Sequence, residues 1–338
     1  MPLVVQYSGR VCLLGEHCDW AGGASLTVPA PLSVVVAVDA ALRPTEIRVR
    51  TALHGDLREQ SFGLEGAVDP AGGPLRFAPA AAAALHRRGL RLRACHLYVH
   101  ATLPAGRGFS SSAAYTLGVL DALARAAGHA LEHDVLAALA FEVEHELLGV
   151  PCGRLDPMAC AAGAAAYIRW RADGSGRLRR IQPLRPLHLA VGVWPQPRPA
   201  APLLEALCAH TAADLRAPED REAAAAVAEA LATFAHTADA GAHAVRIGDL
   251  AALGAAMDRA QTAYAVAAQA LPALAAPQLV ATCARLRDEH GALGAKFSGA
   301  GGDRSIVALG VDEDHASRLR RGMEAAGLSA WALRVDRV

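Results

Sequence analysis

Leu103-Pro-Ala-Gly-Arg-Gly-Phe-Ser-Ser-Ser-Ala-Ala114 sets a glycine-rich loop and three consecutive serines between a strand-like run, Cys95 to Ala101, and a helix-forming stretch, Ala113 to Ala127. Glycine lets a backbone approach an anion closely. Serine hydroxyls at a helix start cap free N–H groups, and that end of a helix carries positive dipole charge. Together these features make a phosphate cradle that needs no lysine. The point matters because Lys296 is the only lysine in the chain. A Walker A loop, GxxxxGK[ST], is absent, which excludes the P-loop NTPases. A lone Gly/Ser loop is a weak signal, since many strand-to-helix turns carry one for structural reasons.

Three further segments hold polar groups suited to chemistry. Gly9-Arg-Val-Cys-Leu-Leu-Gly-Glu-His-Cys-Asp-Trp-Ala-Gly-Gly23 gathers Arg10, Glu16, His17 and Asp19 around an apolar strand and a glycine turn. Such a set suits a polyhydroxylated ligand, because carboxylates accept from hydroxyls and histidine donates or accepts. The competing reading is a solvated loop with capping carboxylates. In Glu142-Val-Glu-His-Glu-Leu-Leu-Gly-Val-Pro-Cys-Gly-Arg-Leu-Asp-Pro157, Glu144 falls on a helix and Asp156 begins the next one. A carboxylate beside a transferring phosphate holds Mg²⁺, and another orients or deprotonates the attacking hydroxyl. Spacing of two residues sends Glu144 to a different helix face from Glu142 and Glu146, which argues against a uniform solvated acidic face. His145-Glu146 lacks the second histidine of a HExxH zinc site. Phe297-Ser-Gly-Ala-Gly-Gly-Asp303 lies between two short strands and on its own reads equally as a tight turn.

Taken together, these motifs resemble the GHMP kinases, and within that family galactokinase most. Gly9-Arg-Val-Cys-Leu-Leu-Gly-Glu-His-Cys-Asp is similar to GRVNLIGEHTD, Gly108-Phe-Ser-Ser-Ser-Ala-Ala114 to GLSSSAA, and Glu144-His145 with Gly149-Val-Pro-Cys-Gly-Arg-Leu-Asp156 to EH…GxPCGIMD. The resemblance implies an ATP- and Mg²⁺-dependent kinase that phosphorylates the anomeric hydroxyl of a sugar. It implies that Gly106, Gly108, Ser110, Ser111 and Ser112 line the ATP phosphates, and that Ser112 and Glu144 hold Mg²⁺. Asp156 would face the sugar hydroxyl, with Arg10 beside it to keep it ionised and to stabilise the transferring group. Glu16, His17, Asp19 and Gly153 would contact the sugar, and Gly299, Gly301 and Gly302 would close over the nucleotide. The implied fold is α+β in two domains, the first like ribosomal protein S5 domain 2 and the second ferredoxin-like with added helices.

Departures from the family pattern bear on the substrate. Cys18 stands for threonine, Trp20 for tyrosine, Arg154-Leu155 for Ile-Met and Pro157 for glutamine, while Asp303 and Arg304 interrupt a loop that is otherwise glycine-rich. With them the substrate need not be galactose, and an uncommon sugar such as a heptose or octose of specialised metabolism fits as well. Two alternatives stand beside this reading. A GHMP kinase for a non-sugar alcohol, of mevalonate or homoserine type, leaves Glu16, His17 and Asp19 without hydroxyl partners. A non-catalytic regulator that binds sugar and ATP does not account for the retention of Asp156, Arg10, Glu144 and Ser112.

The elements that position these residues follow from periodicity and punctuation. Leu3 to Tyr7 and Val11 to Leu14 read as two strands around Ser8-Gly9, and Leu32 to Ala41 pairs with Glu46 to Thr51 across Arg43-Pro44. Helices are expected over Ala78 to Arg88, Phe109 to Ala127, Glu132 to Leu148 and Asp156 to Ala162, followed by strands Ala164 to Trp170 and Leu187 to Trp194. Pro195, Pro197, Pro199 and Pro202 mark a boundary, giving domains 1–185 and 186–338. The second is helix-rich, with helices over Leu203 to Ala212, Glu219 to Ala240, Ile247 to Gln269 and Pro277 to Glu289. It closes with two short strands around the third glycine loop, a helix from Glu313 to Ala326 and a strand from Trp331 to Val335.

With 338 residues, 53% hydrophobic and only 4% aromatic, the core must be built mainly from alanine, leucine and valine. A formal net charge of zero argues against nucleic acid and membrane surfaces as partners. Seven scattered cysteines without a CxxC pair argue against a disulfide scaffold or zinc site. With no basic-plus-apolar leader and no apolar run of about 20 residues, the expectation is a soluble cytoplasmic protein, monomeric or homodimeric, acting on a small-molecule sugar.

Overall fold

A computed structural model of the chain describes all residues except 1–2, 41–42, 54–55, 74, 172, 197–199, 212–217 and 337–338. Its first part runs β1 (Leu3–Leu14), α1 (Cys18–Ala21), β2 (Gly23–Ala40), β3 (Glu46–Leu53), β4 (Asp56–Gly63), α2 (Phe77–Arg87), β5 (Cys95–Ala101), α3 (Ser111–Ala126), α4 (His133–Phe141) and α5 (Leu155–Ala162). Then follow β6 (Ala166–Trp170), β7 (Gly176–Arg180), β8 (Leu187–Val193), α6 (Ala201–Ala209), α7 (Pro218–Ile247), α8 (Leu250–Ala270) and α9 (Pro277–Asp288). The chain ends in β9 (Gly294–Phe297), β10 (Ser305–Gly310), α10 (Glu313–Ala325) and β11 (Ser329–Val335).

Contacts divide the chain into two compact units that do not follow a single cut. One contains residues 1–9, 32–105 and 110–163; the other contains 10–31, 106–109 and 164–338. Within the first, β2 pairs antiparallel with β5 (Val36 opposite Val99), β5 runs parallel to β3 (Leu97 opposite Val49), and β3 pairs antiparallel with β4. The helices here are alanine-rich. Ala78 and Ala80 to Ala84 of α2 are buried, as are Ala113, Ala114, Ala122 and Ala124 of α3. Small side chains let helices approach closely, and the near absence of aromatics is made good in this way.

In the second unit, β8 to β11 form an antiparallel sheet in the order β11-β8-β10-β9. Numbered by appearance, that is fourth-first-third-second, with helices between the first and second strands and between the third and fourth. This is the ferredoxin-like arrangement that the sequence led us to expect, and α6 to α9 are the added helices. β9 and β10 are buried throughout, including all six residues of β10, whereas β11 at the sheet edge is mostly exposed or half-buried.

Several elements differ from expectation. Ser8-Gly9 does not break the first strand, which runs unbroken from Leu3 to Leu14. β2 and β3 are not a hairpin, because β5 inserts between them and presents buried Leu97 and Val99 to the centre of the sheet. β4 and β7 carry more polar sequences and were not foreseen. Pro197, Pro199 and residue 212 lie outside the described residues. The helix expected to stop at Ala240 continues to Ile247 through Gly241. A Cβ at Gly241 would lie 2.2 Å from Leu14 Cδ1, so this glycine marks where α7 presses on β1 rather than where it ends.

That contact gives a direct test. Gly241→Val should destabilise the protein by about 3 kcal/mol, because Leu14 and its neighbours Leu26 and Leu253 have no free space to yield. Urea denaturation followed by circular dichroism reads the loss, and an unchanged midpoint would contradict the packing.

Candidate active site

The predicted residues fall into two groups, one in each unit. In the first unit Ser110 precedes α3 in the left-handed region, with φ of 58°. A non-glycine residue pays a conformational cost there, and such strain gathers at functional positions. Ser110 does not cap the helix with its side chain, contrary to expectation. Its Oγ is buried without a hydrogen-bond partner. Ser111 and Ser112 begin α3 itself.

Glu144 sits in a π-helical turn, Glu142–Leu147, that continues α4. The wider turn changes which side chains face inward: Glu144 is buried, whereas Glu146 is exposed and Glu142 half-buried. Single π turns are common at functional sites. The Ser112 hydroxyl lies near enough to the Glu144 carboxyl to favour its charged form. Thr116 Oγ1 donates to this carboxyl, at 3.4 Å. Burial pushes its pKa up to about 8, the nearby Asp156 carboxylate adds to the rise, and the two hydroxyls oppose it. Asp156 itself is half-buried in the first turn of α5, after half-buried Gly153.

In the second unit the first motif, the Gly9–Gly23 segment, meets the second, the Gly106–Phe109 loop, and the third, the Phe297–Asp303 loop. Arg10 Nη1 donates to the Gly108 carbonyl at 2.6 Å, and the Arg10 amide donates to the Phe109 carbonyl at 3.2 Å. The Cys12 amide donates to Ser298 Oγ at 3.0 Å. A Cβ on Gly108 would lie 2.4 Å from Ser305 Oγ, and Gly108 has φ of +91°, so only glycine fits. A Cβ on Gly299 would lie 3.2 Å from the Gly108 carbonyl, which places the third glycine loop against the second. Gly301 and Gly302 are buried on Tyr264, whose hydroxyl accepts from the Gly302 amide at 2.6 Å.

Glu16, His17 and Asp19 are all buried, at 1%, 7% and 7% exposure. His17 adopts the left-handed conformation, with φ of 66°, and its Nε2 lies 3.2 Å from the Ala300 carbonyl. Glu16 Oε1 accepts from Lys296 Nζ in an ion pair whose partners are 1% and 0% exposed. Lys296 Nζ also donates to the Phe297 carbonyl at 2.5 Å. Glu16 Oε2 has no hydrogen-bond partner. The Cys18 thiol is buried and its pKa is pushed up to about 12 by that burial, so this departure acts through packing rather than reactivity.

Known proteins match this arrangement. The model for the GHMP kinases N terminal domain matches residues 76–164, and the model for GHMP kinases C terminal matches 242–328, together just over half of the chain. The chain belongs to the GHMP kinase family. It is 34% identical to a galactokinase of Thermococcus kodakarensis over 155 residues, 46% of this chain and 43% of that one. The chain spans less than half the length of the curated relatives it matches. Lactococcus lactis galactokinase, complexed with galactose, superposes with a TM-score of 0.79 at 17% identity, covering 99% of this chain and 94% of that one. Methanococcus jannaschii mevalonate kinase gives 0.75 at 16%, covering 99% and 98%. These structural likenesses define the shared two-domain α+β fold and do not separate substrates.

As a GHMP kinase the protein carries residues that sequence reading did not single out. Thr116 lies one helical turn after Ser112, a spacing that puts both hydroxyls on one face of α3. Lys296 was noted only for being the sole lysine, and its position directly before the third motif was the available signal. Tyr264, in the middle of α8, gave none. Among the described residues no group of three or more His, Cys, Asp and Glu side chains is placed to hold a metal alone. Ser112 and Glu144 offer oxygen only, and Glu144 is a buried carboxyl raised by desolvation. Both properties fit a hard cation that shares its shell with phosphate and water. Among the described residues no helix is long and apolar enough to cross a membrane.

Two measurements follow from this electrostatics. Lys296→Met should cost about 3–5 kcal/mol, since it strands a buried carboxylate, and Lys296→Met in a Glu16→Leu background should cost much less than the two changes summed. Glu144 binds its proton more tightly folded than unfolded, so its contribution to stability is full below the ordinary value near 4.5 and lost as pH rises through about 8. Without Mg²⁺, wild-type stability should therefore fall by roughly 2–4 kcal/mol from acid to alkaline conditions, and Glu144→Gln should lack that slope. Equal slopes in denaturation series would refute the assignment.

Proposed function

We propose that the protein is an ATP- and Mg²⁺-dependent kinase that phosphorylates the anomeric hydroxyl of a sugar. The observation that carries this reading is the burial of Glu16, His17 and Asp19 within ten residues of Arg10, with Glu16 Oε2 buried and unpartnered. A buried carboxylate oxygen is costly unless it accepts a hydrogen bond. A polyhydroxylated ligand supplies such donors, and a mevalonate-type alcohol supplies few. Matching relatives named galactokinase support the sugar class.

In this reading the amides of the Gly106–Gly108 loop and the start of α3 bind the nucleotide phosphates. Ser112 and Glu144 would hold Mg²⁺, which would supply neutralisation of phosphate charge. Asp156 accepts a hydrogen bond from the anomeric hydroxyl and aims or takes its proton. Arg10 contributes a fixed cation that stabilises charge spread over the transferring phosphoryl group. Glu16, His17 and Asp19, with Gly153, orient the sugar. Gly299, Gly301 and Gly302 close the phosphate side from the third motif. Such a reaction depends on positioning and charge neutralisation more than on covalent chemistry. The buried packing of Cys18 and the replacement at Trp20 favour a pocket for an uncommon aldose, such as a heptose or octose.

A panel of aldoses tested for ATP consumption, with phosphorus NMR of the product, examines the reading. The expected product is a sugar 1-phosphate; phosphate on a primary hydroxyl, or turnover of mevalonate or homoserine alone, would overturn it. Asp156→Asn should lower kcat by about 10³-fold or more while ATP binding is kept. Near-normal turnover in that variant would remove Asp156 from the mechanism.

A further inference from the structure

Asp303 and Arg304 interrupt the third glycine loop, and nothing in the reading above uses them. Both are buried, at 2% and 7% exposure. Asp303 Oδ1 accepts from the Leu279 amide at 2.8 Å, in the first turn of α9. The Arg304 backbone is held as well: its amide donates to the Gly302 carbonyl at 2.9 Å, and its carbonyl accepts from the Trp194 amide at 3.1 Å. From this fixed base the side chain reaches the second motif, 198 residues away in sequence, where Nη2 donates to the Gly106 carbonyl at 2.9 Å. Arg10 takes the next-but-one carbonyl, that of Gly108, at 2.6 Å.

Two guanidinium groups thus bind two carbonyls of one short loop. In a trans peptide the C=O and the following N–H point in opposite directions. Fixing the carbonyls of Gly106 and Gly108 therefore fixes the N–H groups of Arg107 and Phe109 on the opposite side. The two glycines have φ of +68° and +91°, conformations that let successive amides turn toward a common anion. Lysine is not available for this task, because the chain's single lysine is fully buried against Glu16. Arginine suits it, since a planar group with five donors holds a carbonyl and still carries its charge.

We propose that Arg304 is a positioning residue for nucleotide binding, holding the Gly106–Arg107 peptide so that the loop amides meet the phosphates of a nucleoside triphosphate. This rests on the phosphoryl-transfer reading above and deepens it.

Isothermal titration with a non-hydrolysable ATP analogue and Mg²⁺, and separately with adenosine, tests the role in the full-length chain. Arg304→Met should weaken analogue binding by about tenfold or more and leave adenosine binding within about twofold, and Arg304→Lys should recover most of the loss. A general structural defect would weaken both ligands alike and overturn the proposal, as would analogue binding equal to wild type. Wild-type protein that binds no nucleotide overturns the kinase reading itself, and this proposal with it. Should Arg304→Met not fold, amide hydrogen exchange on the wild type decides: residues 107 and 109 should gain protection when the analogue is added, and no gain would refute the positioning.

Discussion

The buried pair between Glu16 and Lys296 is a constraint on which the second unit depends. Removing two full charges from water costs several kcal/mol per ion, and only close pairing with further hydrogen bonds offsets it. Lys296 meets that requirement with Glu16 and with the Phe297 carbonyl, and its ammonium lies 4.1 Å from the centre of the Phe297 ring. The pair joins the first motif to the strand that opens the third, across 280 residues of sequence. With these two segments held together, the Cys12 amide meets Ser298 and the loop after β9 lies against Arg10 and Gly108. A buried ion pair is a poor source of net stability but restricts which segments can meet, because separating the partners strands both charges.

Strain is confined to the same motifs. Among the described residues, His17 and Ser110 are the non-glycine residues with positive φ. Each costs on the order of 1 kcal/mol or more in backbone energy and each stands at the centre of a motif. His17 reverses the chain between β1 and α1, which buries Glu16 and Asp19 within one turn of each other. Ser110 turns the chain abruptly into α3, so that Ser111 and Ser112 present backbone N–H groups at the helix start. A glycine at either place would relax the backbone, so the strain is carried by residues with side chains at two of the motifs.

Motif residues were legible from sequence because loops that approach anions demand glycine and serine, and few other roles demand both in such density. Glu144 was separable from Glu142 and Glu146 because two-residue spacing on any helix splits faces. The π turn that deepens its burial was not legible, since one extra residue per turn leaves no compositional mark. Helix α7 was cut short at Gly241 because a glycine in sequence does not say whether it frees the backbone or admits a neighbour; only Leu14, from a distant strand, decides. The insertion of β5 between β2 and β3 escaped for a related reason. β5 alternates, with Leu97 and Val99 buried and Tyr98 and His100 exposed, and such alternation marks a strand without saying which neighbours it pairs with, so adjacency along the chain was a weak guide. The ferredoxin-like order of β8 to β11 followed from the family resemblance, not from periodicity.

The distribution of cations bears on how the proposed phosphate site could be built with a composition that has nearly eliminated lysine. A lysine ammonium is a compact point charge that usually contacts phosphate directly, as in P-loops. Here the single ammonium is internal, so charge near the glycine loops comes from guanidinium groups. Arg10 and Arg304 spend donors on loop carbonyls rather than pointing every N–H at a ligand. That use turns arginine from a phosphate contact into a scaffold that aims backbone amides while keeping positive potential nearby. Backbone amides are short dipoles held by covalent geometry, so once aimed they lose no side-chain entropy when an anion arrives. In the proposed site, selectivity would come from the shape of the loop, and Asp303, which accepts from the Leu279 amide of α9, would help to hold that shape without touching the ligand.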